Sequence, residues 1–333
     1  MSLLTIIMPV YNAQDTLPAA LNGVLNQTYK NLEILLVNDG STDGIGQLLK
    51  RMSEQDERIQ VITQKHAGSA SARNAALQLA TGSFVYFADA DDIMAPEAAR
   101  IMVERMVNPG TDLLTFGYRE INRRTGAVKE VTAPEGRFSG EQVRSDYTKW
   151  TADSPCKVLG SCWNKCFRMD LIKEYGVVFP DLKRNEEEVF IMRYIEHVQD
   201  IYNIPNMLYD FYPIGLRQAW ERLPDNFCEE VDKFRKERLA YARKWYCDTP
   251  KTREFIAREY WGKMILGLRL CFNPDPKKKK KYGEFARRSK ILMRGLDSIG
   301  NVPASITGSN IYKLLKKGIT PVAWLLIKRS SRR

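Results

Sequence analysis

The sequence predicts an α/β protein in which helices cover both faces of a parallel sheet. Short apolar runs with the composition of buried strands alternate with segments of helical periodicity through the first third of the chain. Such alternation implies right-handed crossovers between parallel strands. The chain has neither a Gly-x-Gly-x-x-Gly motif nor a Walker A motif. A standard dinucleotide site and a P-loop are therefore excluded.

The first third of the chain supplies four strands and three helices. Each strand is a short apolar run, and each helix has apolar residues three and four positions apart. The predicted strands are Leu3–Met8, Leu32–Val37, Ile59–Thr63 and Phe84–Phe87. The predicted helices are about Thr16–Leu25, a helix capped by Thr42 or Asp43 that carries Leu48, Leu49 and Met52, and Ser69–Ala80.

The pattern changes after the fourth strand, where strands no longer alternate regularly with helices. The predicted elements are a helix at Met94–Met106, strands at Asp112–Glu120, Ala127–Thr132, Trp163–Phe167 and Ile201–Tyr212, and a helix near Glu186–His197. The last 110 residues or so are mostly helical, for example Phe255–Phe272. We therefore predict a domain at residues 1–215, with parts 1–110 and 111–215, and a helical region at 216–333.

The composition, 44% hydrophobic and 27% charged, is that of a soluble globular protein. No apolar stretch reaches the roughly 18 residues that a membrane-spanning helix needs. The six cysteines include no Cys-x-x-Cys pair, and the chain has only two histidines. We therefore expect reduced thiols in a cytoplasmic protein, and no structural zinc site.

Three carboxylates follow the fourth strand within four residues: Asp89, Asp91 and Asp92. Ligands of open α/β sheets bind at the carboxyl ends of the strands, so these acids are expected in a crevice. Carboxylates gathered in this way commonly hold a divalent ion together with substrate phosphates. The alternative is structural, because Asp91 or Asp92 is also suited to cap the next helix.

The other strand ends carry polar groups that converge with these acids. Tyr11 follows the first strand and offers a flat face for a base, and Asp39 follows the second and offers an acceptor for an imide N–H. Arg73 follows the third and offers a fixed charge for a phosphate. The structural alternatives are core packing for Tyr11 and a turn before Gly40 for Asp39.

These four ordered segments resemble the family 2 glycosyltransferases, the inverting GT-A enzymes of bacterial polysaccharide assembly. The resemblance implies a GT-A fold with a mixed sheet, a nucleotide-sugar donor that is typically a UDP-sugar, and a Mn²⁺ or Mg²⁺ cofactor. It further implies that residues 1–110 bind the donor and that 111–215 form the acceptor side. The implied site is Pro9, Tyr11 and Asp39 at the base, Arg73 near the base or the pyrophosphate, Asp89 at the ribose, and Asp91 at the metal.

A second acidic cluster, Glu186–Glu188, opens the helix near residue 190. By itself such a cluster is a solvated first turn that the helix dipole favours. The functional alternative is a general base that deprotonates an acceptor hydroxyl. The family typically has Glu-Asp-x-x-Phe here, so its resemblance to Glu186-Glu187-x-x-Phe190 implies that Glu187 is the base. Glu187 is one methylene longer than the family's Asp, and Glu186 and Glu188 therefore stay possible.

Two further segments resemble acceptor-side parts of the family. Trp163, Asn164 and Lys165 match its Asn-Lys segment, although a strand with Trp163 in the core explains them equally well. Arg217 lies where relatives often have a loop that contacts phosphate, but the usual Ser-Ile pattern is not clear there.

The chain is basic towards its C-terminus. The net charge is +11, and residues 251–333 contain 21 Lys and Arg against 5 Asp and Glu. Lys277–Lys281 are five consecutive lysines, and apolar residues from Ile311 to Ile327 are interleaved with basic ones. This composition favours an interfacial helix on anionic lipid, with Trp324 at headgroup level. The alternatives are a solvated tail, or nucleic acid, which the strand-end acids disfavour.

The sequence thus predicts an inverting, metal-assisted glycosyltransferase that moves a sugar to a hydroxyl of a cell-surface glycan or a lipid-linked precursor. We expect it in the cytoplasm, peripheral to the inner face of the membrane. One alternative is a sugar-nucleotidyltransferase, but the segment Pro9–Asn12 lacks the Gly-rich basic loop which that chemistry needs. The other is a non-catalytic basic protein that binds membrane or nucleic acid.

Overall fold

The computed structural model describes residues 2–107, 110–155, 157–213, 226–269, 271 and 282–330. The chain divides into two compact units, Met1–Glu221 and Arg222–Arg333. The boundary predicted near residue 215 falls outside the described residues, and so does the Lys277–Lys281 run. No helix among the described residues combines the length and the hydropathy that crossing a membrane requires.

The first unit is built around one mixed sheet. Its strands are β1 (Leu4–Val10), β2 (Leu32–Asp39), β3 (Ile59–Gln64), β4 (Phe84–Phe87), β5 (Ile93–Met94), β6 (Leu113–Ile121), β7 (Val128–Val131), β8 (Gly136–Ser139), β9 (Lys165–Arg168) and β10 (Asp200–Phe211). Its helices are α1 (Leu17–Leu25), α2 (Ile45–Gln55), α3 (Ser69–Leu79), α4 (Ala98–Val107), α5 (Gly140–Ser145), α6 (Met169–Glu174) and α7 (Glu186–Ile195), with a π-helical turn at Lys149–Asp153.

The strand order is β3-β2-β1-β4-β9-β6-β10-β5, with β7 beside β6 and β8 beside β10. The first four strands are parallel, as the sequence predicts. Strand β9 is antiparallel to both of its neighbours, so the sheet is mixed. Ile6 and Ile7 are adjacent in β1 and both fully buried. Because adjacent side chains in a strand point to opposite faces, both faces of the sheet are covered.

Several predicted boundaries in this unit are wrong, among them the positions where three elements begin. Helix α4 begins at Ala98, not at Met94, because Ile93–Met94 pair with β10 instead. Strand β9 begins at Lys165, two residues later than predicted. Helix α2 begins after Gly44, so neither Thr42 nor Asp43 occupies its N-cap position. In each of these three cases, strand pairing or a glycine determines the local backbone conformation.

The described part of the second unit is helical. Its helices are α8 (Phe227–Lys244), α9 (Pro250–Arg269), α10 (Tyr282–Ile299), α11 (Ala304–Thr307), α12 (Asn310–Lys316) and α13 (Thr320–Ser330). Helices α8, α9 and α10 pack against one another around buried apolar side chains such as Phe234, Ile256, Met264 and Leu292. The predicted helix at Phe255–Phe272 corresponds to α9, and Phe272 itself falls outside the described residues.

Candidate active site

The loops after β1 and β2 are joined by hydrogen bonds. The N–H of Asn12, whose φ is 47°, donates to Ser41 Oγ at 3.1 Å. The side-chain Oδ1 of Asn12 accepts from the N–H of Thr42 at 2.8 Å. Pro9 is half-buried near the end of β1 and lies in register with Val37 of β2. The first two strand ends therefore meet at one edge of the sheet.

Asp39, the last residue of β2, holds the loop that follows β3. Its Oδ1 accepts hydrogen bonds from the N–H of Ala67 at 2.8 Å and from Gln64 Nε2 at 2.7 Å. Its Oδ2 accepts from the N–H of Gly68 at 2.8 Å and lies 2.9 Å from His66 Nδ1. A carboxylate has about four acceptor positions. Three of these positions on the buried side chain of Asp39 accept hydrogen bonds from the end of β3 and the loop after it.

Gly40 lets the loop approach Asp39 so closely. Its φ is +70°, a left-handed value that glycine adopts without strain. A Cβ at this position would lie 2.7 Å from the backbone nitrogen of His66. Any other residue at position 40 would push the loop away from the end of β2.

Tyr11 and His66 form an exposed aromatic pair beside this loop. Their ring centroids are 4.0 Å apart and the planes differ by 21°, so the rings are stacked. Tyr11 remains 47% exposed. The core-packing alternative for Tyr11 is therefore wrong, and the exposed pair presents a flat surface on which an aromatic base can stack.

Arg73, on α3, is the centre of a cluster of charged side chains that we call the Arg73 cluster. Its Nη1 donates to Glu186 Oε1 at 3.0 Å, and its Nη2 donates to Glu187 Oε1 at 2.7 Å and Asp89 Oδ1 at 3.1 Å. Only 4% of the Arg73 side chain is exposed. Burial disfavours the charged guanidinium, but the carboxylates of Glu187, Asp89 and Glu186 outweigh it and raise the pKa of Arg73.

Asp89 is held in place from its main chain and from its side chain. Its N–H donates to Tyr209 Oη at 3.1 Å, while its carboxylate accepts from Arg73. Burial raises the pKa of Asp89, Arg73 lowers it, and the charges of Glu187 and Asp91 raise it again, to about 7. Negative charge is thus in excess at the end of β4, and a cation bound there would relieve the repulsion.

Asp92 is buried and is not a helix cap. Its Oδ1 accepts from the N–H of Tyr212 at 2.7 Å, and its Oδ2 has no hydrogen-bond partner in the described part of the chain. The predicted capping role is wrong because strand β5 separates Asp92 from α4. Burial, and after it the charge of Asp89, raises the pKa of Asp92 to about 8. The charged form of this side chain therefore costs stability.

We predict that Asp92→Asn stabilises the protein increasingly as the pH rises. A carboxyl with a raised pKa contributes stability below its unfolded value of 3.8, and this contribution is lost as the pH rises to about 8. The amide does not ionise, so its advantage should grow by about 3 kcal/mol between roughly pH 5.5 and pH 8 and then level off. Urea unfolding with a chelator present measures this change.

Asp56→Asn is the control for this prediction. The hydrogen bond from Arg58 lowers the pKa of Asp56, so this carboxylate stays ionised throughout that pH range. The effect of its replacement should therefore not change with pH. A pH-independent effect of Asp92→Asn would contradict the raised pKa of Asp92.

The three adjacent glutamates of α7 differ in their contacts, although Glu186 and Glu187 both accept from Arg73. Glu186 accepts from Ser69 Oγ at 2.6 Å as well as from Arg73. Glu187 accepts at Oε2 from the N–H of Cys162 at 2.8 Å. Glu188 is buried and accepts from the hydroxyl of Tyr147. Glu186 and Glu188 are buried, whereas Glu187 is partly exposed, with 19% of its side chain accessible to solvent.

Comparison with known proteins places this sheet and its strand ends in a family. A sequence model described as glycosyl transferase family 2 matches residues 5–175, just over half of the chain. The chain belongs to glycosyl transferase family 2. The matched region contains the four strand ends and Arg73, and it stops before the glutamates of α7. The resemblance drawn from the sequence motifs is therefore confirmed.

Curated relatives of this family 2 chain are similar over part of their length. Glycosyltransferase GlyA of Streptococcus pneumoniae is 39% identical over 123 residues, which are 37% of this chain and 18% of GlyA. The glucosyltransferase WfgD of Escherichia coli is 37% identical over 134 residues, which are 40% of this chain and 52% of WfgD. The aligned segments therefore span less than a fifth of GlyA and about half of WfgD.

Among solved structures, the fold resembles that of S. aureus TarS 1-349. The TM-score is 0.65 at 18% identity, over all of this chain and 91% of that one. At this level of identity the similarity concerns the fold. It confirms the GT-A fold with a mixed sheet that the resemblance implies, and the helical C-terminal part that the sequence pattern predicts.

The segment predicted on the acceptor side of this family 2 chain is buried. Trp163 stacks on Tyr209 and Phe211, with ring centroids 5.2 and 5.0 Å apart. Lys165 Nζ donates to the carbonyl of Ser161 at 2.6 Å and to Asn164 Oδ1 at 2.7 Å. These contacts are those of the core alternative, and an acceptor role for the segment stays a prediction. Arg217 falls outside the described residues.

Sequence reasoning assigned no role to several side chains around these residues. His66 is one of two histidines and lies in a strand-end loop, which was a usable signal. Ser69, which donates to Glu186, and Phe179, whose ring centroid is 5.4 Å from Arg73 Cζ, carried no comparable signal. The N–H of Cys162 is a main-chain donor that no residue type predicts. These contacts join segments that are far apart in the sequence.

A divalent ion at this edge would need ligands from outside the protein. Among the described residues, no group of three or more His, Cys, Asp or Glu side chains is arranged to hold a metal. Magnesium typically uses one or two carboxylates together with substrate phosphates. The excess carboxylates at the end of β4, including the unpartnered Oδ2 of Asp92, fit a site of this kind.

Proposed function

We propose that the protein transfers a sugar from a nucleotide-sugar, a UDP-sugar, to an acceptor hydroxyl with inversion at the anomeric carbon. Glu187 acts as the general base, and Asp91, with Asp89 beside it, holds a Mn²⁺ or Mg²⁺ ion. Pro9, Tyr11 and Asp39 contact the base of the nucleotide, and Asp89 contacts the ribose. Membership in glycosyl transferase family 2 supports the reaction class.

The Arg73 cluster carries this proposal. The buried guanidinium of Arg73 connects Asp89, at the end of the donor-side strand, with Glu186 and Glu187, which lie 113 and 114 residues after Arg73. A direct displacement needs the base and the leaving diphosphate near one anomeric carbon, and the cluster holds the candidate groups for both within one set of hydrogen bonds. Attack from the side opposite to the leaving group inverts the anomeric carbon.

Accessibility supports Glu187 as the base over its neighbours. A general base must come within hydrogen-bond reach of the hydroxyl that it deprotonates. Glu188 is buried against Tyr147, and Glu186 is buried against Ser69 and Arg73. Glu187 is partly exposed and is fixed through both oxygens, by Arg73 and by the N–H of Cys162. Both donors hold the carboxylate without closing its approach to solvent.

The carboxylates at the end of β4 support a metal ion in the donor site. A bound ion would supply positive charge to the leaving diphosphate. Asp91 would be its ligand, and Asp89 would contribute negative charge from the neighbouring position. Arg73 has a different role in this arrangement, since its donors bind the three carboxylates. It positions the donor and base groups with three of its five N–H donors, and its buried Nε has no hydrogen-bond partner in the described part of the chain, so a place near the base or the pyrophosphate stays part of the proposal.

The identity of the nucleotide and of the acceptor is drawn from relatives. TarS has been crystallised with UDP and with UDP-GlcNAc. The name of WfgD describes transfer from UDP-Glc to alpha-D-GlcNAc-diphosphoundecaprenol. We therefore propose UDP as the nucleotide and a cell-surface glycan or lipid-linked saccharide as the acceptor, with donor binding in residues 1–110, the acceptor side in 111–215, and a helical C-terminal region in 216–333. Such an acceptor fits a cytoplasmic protein at the inner face of the membrane.

Calorimetry with UDP tests the donor site. Wild-type protein should bind UDP more tightly with Mn²⁺ than with a chelator, because the ion joins the carboxylates to the diphosphate. Asp91→Asn should remove this difference, a loss of about tenfold or more in affinity with Mn²⁺ present.

Asp170→Asn serves as the control, because Asp170 is an exposed aspartate that follows β9 beside the start of β4, where Arg168 pairs with Phe84. It should bind UDP as the wild type does. If the wild type bound UDP equally well with and without Mn²⁺, the proposed role of the metal ion would be refuted. If it bound no UDP under any condition, the proposed UDP-sugar donor would be refuted.

A further inference from the structure

The C-terminal helices of the second unit carry a group of exposed apolar side chains. Ile319, Val322 and Leu325 are 40%, 44% and 54% exposed. Val322 and Leu325 are three residues apart on α13, so they share a face of the helix, and Ile319 directly precedes it. No other stretch of seven residues in the described parts of the chain has three exposed large apolar side chains. We call these three residues the apolar ridge.

The opposite face of α13 is part of the core of this unit. Ala323 and Ile327 are fully buried, and α13 packs against α9 and α10. Trp324, predicted at headgroup level, instead packs edge-on against Phe285, with ring centroids 5.2 Å apart. One face of α13 is therefore packed against the rest of the second unit. The apolar ridge lies on the opposite, exposed face of a helix whose position this packing fixes.

The sequence around the apolar ridge is basic without any acid. Residues 298–333 contain seven Lys and Arg and no Asp or Glu. Lys313 and Lys317 are exposed on the segment that precedes the ridge, while Lys316 pairs with Asp297 of α10 at 2.7 Å. An apolar face flanked by lysines is the composition of helices that lie in a membrane interface.

We propose that the apolar ridge and the lysines beside it dock onto a bilayer that contains anionic lipid. The lysines complement the negative headgroups, and the ridge enters the boundary between headgroups and acyl chains. Nucleic acid would also attract the lysines, but its phosphates would leave the apolar side chains exposed to water. The docking involves only the second unit, and it stands or falls independently of sugar transfer.

Vesicle flotation with the full chain tests this proposal without any sugar. The wild type should float with vesicles of phosphatidylcholine and phosphatidylglycerol, and less with phosphatidylcholine alone or in high salt. The variant Ile319→Ser/Val322→Ser/Leu325→Ser should bind the anionic vesicles about tenfold more weakly or worse, because it loses the apolar contact. Lys313→Glu/Lys317→Glu should also weaken binding, through charge alone.

The matched control replaces three exposed apolar residues outside the ridge: Val107→Ser/Val128→Ser/Tyr246→Ser. This control should float as the wild type does. Circular dichroism verifies that every variant is folded, which is expected because the replaced side chains are exposed. Wild-type flotation of the ridge variant would overturn the proposal. Equal binding to neutral and anionic vesicles would overturn it too, as would binding of a DNA duplex but not of vesicles.

Discussion

Glu187→Gln should lower the rate of sugar transfer by about a thousandfold while UDP affinity changes by no more than about twofold. The amide is close in size to the carboxylate and keeps one oxygen as an acceptor for Arg73 or for the N–H of Cys162. It is not basic, so the acceptor hydroxyl loses its proton acceptor. Release of UDP from a UDP-sugar, with and without an acceptor, measures the rate, and calorimetry measures UDP affinity.

The neighbouring glutamates provide matched controls on the same turn of helix. Glu188→Gln should retain most of the transfer activity, because the carboxylate of Glu188 faces the hydroxyl of Tyr147. Glu186→Gln should have an intermediate effect, since Glu186 binds Arg73 without being exposed. If Glu186→Gln abolished transfer and Glu187→Gln retained it, the assignment of the base would move to Glu186.

Arg73→Met should destabilise the first unit by about 3–5 kcal/mol, the typical cost of removing one partner from a buried group of charges. Three carboxylates would then face one another without a cation. Arg73→Lys should recover only part of the loss, because an ammonium cannot donate in the forked geometry of a guanidinium. Both losses should shrink at acidic pH, where the unpaired carboxylates take up protons. Chemical unfolding at two pH values measures these changes.

The control is Arg100→Met on α4. Arg100 also pairs with two carboxylates, those of Glu97 and Glu104, but all three side chains are exposed. Such pairs contribute little because water screens them, so the unfolding midpoint should hardly move. Equal effects at positions 73 and 100 would contradict the view that burial makes the Arg73 cluster important.

Local patterns were sufficient to predict much of the first unit. The strand Phe84–Phe87 was predicted with its observed ends. A glycine shortly before this apolar run and aspartates shortly after it mark where the strand begins and ends. The meeting of the strand ends followed from parallel pairing alone. Contacts between segments that are distant in the chain could not be predicted from the sequence. Nothing in the residues around Arg73 indicates that its guanidinium binds two glutamates 113 and 114 positions later.

Burial was the other property that local patterns did not reveal. Asp92 has the sequence context of a helix cap, yet the pairing of β5 with β10 encloses it and gives it the N–H of Tyr212. Lys165 has the residue type of a surface or ligand-binding position, yet it is fully buried among carbonyl oxygens. In both cases the pairing of strands far apart in the chain decides the environment of a polar side chain.

The bonds between Asp39 and the loop after β3 have a consequence for the speed and strength of nucleotide binding. That loop is already fixed by the donors of Gln64, Ala67 and Gly68 before any ligand arrives. A flexible loop would have to lose conformational entropy on every binding event, at a cost in affinity. Here that entropy is lost once, when the chain folds. The site is therefore expected to be preorganised, and nucleotide association to be limited by encounter and not by loop closure.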